Sequence, residues 1–114
     1  MADPKKPQDV FTLIVQVGRN ANDGLPDGST GAALMCYATG IDEAEAVRET
    51  VTTLKQADLS PLEVTGYGTA EERGAAGHPV DPEEQTLMAR AKSDNAVIVA
   101  QVTPFYDQAD ATKD

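Results

Sequence analysis

Chemistry near neutral pH needs a side chain that can change charge or attack, and this chain has one histidine and one cysteine among its 114 residues. His78 lies in the glycine-rich stretch 74–79, with Arg73 and Asp81 close in sequence and Tyr67 a short way upstream. Imidazole titrates near neutrality, so a partner among Glu72, Asp81 and Tyr67 would let it pass a proton. Tyr67, Arg73, His78 and Asp81 are therefore the residues from which a ligand-binding site could be built. A lone loop histidine is usually solvated. No spacing in the chain matches a nucleophile with its base, and no catalytic residue is assigned.

Cys36 alternates with Leu34 and Ala38 along an apolar run, which makes it a buried structural thiol rather than a nucleophile. Zinc needs several Cys or His ligands, and the chain offers one of each. The glycine-rich segment 24–31 lacks the lysine of a phosphate loop and carries Asp27 where a base is wanted. Aligning Gly24 with the turn of a calcium loop puts Arg19 at the first ligand position and Thr30 at the terminal acid. A looser cation site on Asp23 and Asp27 competes with ordinary Asp-Gly turn chemistry. The sequence thus assigns no metal and no cofactor.

The elements that would position these side chains are legible from periodicity and caps. Residues 10–17 are apolar on both faces, the mark of a central strand, and 96–102 read the same way. Residues 33–39 form a strand bounded by Gly31 and Gly40. A helix over 43–57 follows, with Asp42 and Glu45 as a capping pair and Ala44, Val47, Val51 and Leu54 as its stripe. Residues 62–67 alternate as an edge strand. Thr69 with Glu72 opens a short helix that Gly77 ends, and Asp81, Pro82 and Glu84 open another. The turn residues of 18–31 make a long connection, a site on geometry alone.

The expectation is an α+β domain over residues 9–107, with disordered tails at 1–8 and 108–114. It is a two-layer α/β sandwich, strand, strand, helix, strand, helix, helix, strand. Its helices share one face of a four-stranded mixed sheet ordered 2-1-4-3, the first strand antiparallel to the rest. One sheet face is then left open, and Met35, Tyr37 and Tyr67 on it form an interface.

Net charge is −10, which opposes nucleic acid and anionic membranes. Residues 42–84 hold eleven acids against three bases, a pattern explained by acids at helix starts. No run reaches the roughly 18 apolar residues of a membrane span, and the N-terminus lacks the apolar stretch of a secretory signal. With a single cysteine, the expected setting is the cytoplasm. The leading reading is a non-catalytic protein that works through contacts as a homodimer. One alternative is a small-molecule binder or small enzyme with a pocket between 18–31 and 67–81. Another is an acidic nucleic-acid mimic held by a basic protein partner.

Overall fold

The computed structural model describes residues 8–106. The expected tails at 1–8 and 108–114 therefore lie outside the described residues, apart from Gln8. The elements are β1 (Asp9–Gly18), β2 (Ser29–Gly40), α1 (Glu43–Gln56), β3 (Ser60–Gly68), α2 (Ala70–Ala75), α3 (Pro82–Asp94) and β4 (Val97–Tyr106), in the expected succession. Among the described residues no helix is long and apolar enough to cross a membrane.

Local chemistry fixes the helix ends. The Asp42 carboxylate accepts from the Glu45 N–H at 2.9 Å, while the Glu45 carboxylate accepts from the Ile41 N–H at 2.7 Å. Orphan amides at the start of α1 are satisfied in this way. Thr69 with Glu72 and Asp81 with Glu84 form reciprocal capping boxes on α2 and α3, and Pro82 takes the first helical position. Asn95 closes α3 in the left-handed region at φ 51°. A Cβ at Gly40 would lie 2.8 Å from the Ala46 nitrogen, so the turn from β2 into α1 is this tight only with glycine.

The sheet is four-stranded and antiparallel throughout, in the order β3-β1-β2-β4. The mixed sheet ordered 2-1-4-3 is thereby corrected. β2 and β3 run the same way, but α1 carries the chain past β1, which lies between them. β1 and β2 are the central strands. β4, expected at the centre, is an edge strand on β2. Its apolar pattern on both faces comes from α3, which covers Ile98 and Ala100 on one side, and from the core beneath α1, into which Val97 packs on the other.

The helices also divide between the two faces rather than sharing one. Phe11, Leu13, Val15 and Val17 of β1 join Leu34, Cys36 and Ala38 of β2 beneath Ala46 and Leu54 of α1. Burying side chains such as Leu13, Leu34 and Leu54 contributes about 1.5–3 kcal/mol each. On the other face Val10 and Tyr37 pack under Met88 and Ala91 of α3, with Met35 and Ile98 at the margin. The Thr39 hydroxyl donates to the Ala91 carbonyl at 2.9 Å, tying α3 to the sheet. The face expected to be open is thus covered by the chain itself. Tyr37, assigned to an interface, is only 1% exposed and Met35 is half-buried, whereas Tyr67 is 53% exposed.

Candidate functional site

Four side chains from four elements meet under α3. The Arg73 guanidinium, on α2, donates to both carboxylate oxygens of Glu84 on α3, at 3.0 and 3.2 Å. It also donates to the Thr12 hydroxyl of β1 at 3.2 Å. The Tyr37 hydroxyl, rising from β2, donates to Glu84 Oε2 at 2.6 Å. A forked guanidinium–carboxylate pair in partly buried surroundings is among the stronger polar contacts available to a protein. It locks α2 and α3 to each other and to the sheet.

Electrostatics fixes the resting protonation of this group. The Arg73 hydrogen bond outweighs desolvation and, helped by Tyr37, holds the Glu84 carboxyl down at about 2. Desolvation, then the Glu84 carboxylate, push the Tyr37 hydroxyl well above its ordinary range. The hydrogen bond to Glu84 likewise raises Arg73. Glu84 therefore stays anionic and Tyr37 and Arg73 stay protonated across the physiological range. A general acid or base needs a pKa near the working pH, so this geometry is that of a clamp.

Of the expected site residues, Arg73 lies in the clamp and Asp81 beside it, the Asp81 N–H donating to Glu84 Oε1 at 3.3 Å. His78 and Tyr67 are exposed and stand outside the hydrogen-bonded group. The backbone N–H of His78 donates to the Arg73 carbonyl at 2.8 Å, so the residue serves the turn after α2. Thr12 and Glu84 were not among the expected site residues. Thr12 had a visible signal as the lone hydroxyl in the run 10–17, apolar but for it and Gln16, whereas Glu84 was legible only as a capping residue. The expected pocket between 18–31 and 67–81 is not formed, because those segments sit at opposite ends of β1. Gly68 pairs with Thr12, and the 19–28 loop leaves after Gly18, six residues or about 20 Å further on. Cys36 is fully buried, and burial pushes its thiol up to about 11.

The long loop instead closes on itself and on the far end of the sheet. Arg19 donates to Asp23 at 3.0 Å and to the Pro26 and Ser29 carbonyls at 3.1 and 2.7 Å. The Arg19 bond, with the Leu25 and Asn20 amides, holds the Asp23 carboxyl at about 2. Asp23 thus organises the loop around Arg19, and Asp27 is exposed. The Asn20 side chain donates to the Asp58 carbonyl at 3.2 Å, fastening the loop to the turn before β3.

So held, the loop forms one wall of a cleft of about 420 Å³ on the α1 face, lined by Asp23 as well as by Leu25, Leu34, Leu59, Val99, Val102 and Pro104. Its other wall is β4. Val97–Tyr106 contains no charged side chain, and Val99, Val102, Phe105 and Tyr106 are exposed, Val102 by 47%. Acids line other clefts: Asp81, Glu83 and Glu84 one with Ala100 and Gln101 on the other face of β4, and Glu45 and Glu49 one with Val97. Asp9, Asp42, Glu43, Glu71 and Glu72 border a cleft at the starts of α1 and α2, beside the opposite edge strand.

No curated protein and no solved structure shows a significant match to this chain. Residues 10–106, which take in every strand and helix described above apart from Asp9 at the start of β1, match the family model described as Domain of unknown function (DUF8846), and the chain belongs to that family.

Proposed function

We propose that this protein acts through contact with a second copy of itself rather than by catalysis, in the cytoplasm. The contact surface in this reading is the β4 edge with the apolar cleft beside it. The observation that carries it is the ten-residue edge strand without a charge, exposing Val99 and Val102, in a chain of net charge −10. Edge strands that must stay single are usually blunted with charges, above all lysine, or with prolines and bulges. β4 has no charge; Pro104 and the register slip at Ala100 leave Val102 between them. Like-charged copies repel at long range, so in this reading they meet through the cleft side of β4, where the lining carboxylate, Asp23, is paired with Arg19, rather than through its other face, where Asp81, Glu83 and Glu84 line a cleft with Ala100 and Gln101. Residues 10–41 and 95–106 carry only Arg19, Asp23 and Asp27 as charged groups, and Arg19 and Asp23 neutralise each other.

The clamp of Tyr37, Arg73 and Glu84 supports the non-catalytic part of this reading, since its groups are held away from neutral titration. The buried thiol of Cys36 supports a reducing setting. Native mass spectrometry of the full chain at micromolar concentration tests the proposal. A dimer is expected, together with a monomer for Val102→Lys, whose ammonium would be buried unpaired in the contact. A wild-type chain that stays monomeric throughout the micromolar range would contradict it.

A further inference from the structure

The stretch 69–79 is fastened to the rest of the fold by one side chain. Every residue over 70–79 is exposed except Arg73, and none of α2 is buried. The anchors on either side are Gly68, which still pairs with Thr12 on β1, and Val80, which packs with Tyr37 and Met88. Between them, the Thr69–Glu72 capping box and the bond from the His78 N–H to the Arg73 carbonyl are internal to the stretch. Among the described residues, the side-chain hydrogen bonds that leave it are those of Arg73 to Glu84 and Thr12. Gly77 turns the chain at φ 89° with open space where a Cβ would stand, a point about which the backbone is free to swing.

What this stretch covers is a sheet edge. β3 leaves β1 at Gly68, opposite Thr12, so residues 9–11 of β1 have no strand on that side. α2 stands there instead. Its Thr69 cap and Glu71 share two clefts with Asp9, one of about 350 Å³ with Val10 and Met88 and one of about 470 Å³ with Phe11 and Asp42. Val10 and Phe11 belong to opposite faces of the sheet, so the start of α2 divides the two clefts across the edge of β1. Segments with few buried apolar contacts open at a smaller free-energy cost than the core that carries them. We infer that residues 69–79 form a strap that opens as a unit ahead of the rest of the fold, with the fork from Arg73 to Glu84 as its latch. Release bares the edge of β1 at 9–11, which the strap otherwise keeps from pairing. It also joins the two clefts and leaves the Glu84 carboxylate and the Thr12 hydroxyl without their guanidinium.

Limited trypsinolysis of the full-length chain tests both parts, because the latch residue is itself a cleavage site. The bond after Arg73 is cut while the strap is open, so its cleavage rate follows the open population. In the wild type it should be cut while the bonds after Arg48 and Lys55 of α1 stay intact. Its rate should be nearly flat in urea below the unfolding transition, since a local opening exposes little surface. Glu84→Gln keeps the cleavage site and removes the ionic fork, and should speed this cut by about tenfold or more. Val17→Ala, in the buried core at the far end of β1, weakens the whole fold but should leave the cut unchanged. A cut that rises with urea as steeply as unfolding, or that quickens as much with Val17→Ala as with Glu84→Gln, would overturn the strap. A cut no faster in Glu84→Gln than in the wild type would overturn the latch. Should Glu84→Gln fail to fold, Arg73→Lys keeps a trypsin site, loses the fork by a milder change, and is read in the same way.

Discussion

Glu84 caps α3, holds Arg73 and accepts from Tyr37 with one carboxylate, so its protonation is coupled to three elements. Its ordinary pKa of 4.5 falls to about 2 in the fold. A carboxyl depressed in this way contributes stability that is complete above about pH 4.5 and is lost as the pH falls from there towards 2. Glu84→Gln keeps an acceptor for Tyr37 but loses the ionic fork, and is expected to destabilise the domain by about 1–3 kcal/mol at pH 7. Thermal melts by circular dichroism should show the gap between wild type and variant narrowing below pH 4.5. A gap that is constant down to pH 2.5 would show that the ionised Glu84 carboxylate is not the source of the difference. Tyr37→Glu belongs to the same scale. Because Tyr37 is covered by α3 within one chain, the substitution is expected to unfold the domain rather than to dissociate a dimer.

At the scale of elements, Asp42→Ala removes the acceptor at the start of α1 and should lower stability by about 0.5–2 kcal/mol. A melt unchanged by it would contradict the capping geometry. That helix, and the starts of α2 and α3, were legible in the sequence because a cap is a local signal, carried by residues three apart such as Thr69 and Glu72. Strand order is not local. Residues 97–99 look the same whether a strand has neighbours on both sides or, like β4, has one neighbour and a helix above it. The one-face layering failed for the same reason, since each helix stripe says that it is buried but not on which side. The clamp was half legible: Arg73 and Asp81 sit in the loop region that drew attention, but the partner of Glu84 is Tyr37, 47 residues away on another strand.

At the scale of the whole molecule, acids border the cleft beside β3 and also, through Asp81, Glu83 and Glu84, one face of β4, a strand that carries no charge itself. That excess of acids sets what the protein should not bind. No gel shift with DNA or RNA is expected at physiological salt, because a net charge of −10 opposes the phosphate backbone; a salt-sensitive shift would contradict this. Self-association through β4 makes a sharper demand, on single backbone amides. Amide hydrogen exchange across a series of protein concentrations reads it directly, because the amides of β4 that face away from β2 are open to water in a lone chain and covered in a pair. These outward β4 amides should exchange more slowly as concentration rises through the micromolar range, while the Leu13 amide, in the centre of the sheet, stays unchanged. Identical exchange of the β4 amides at every concentration, from dilute to millimolar, would show that β4 remains a free edge.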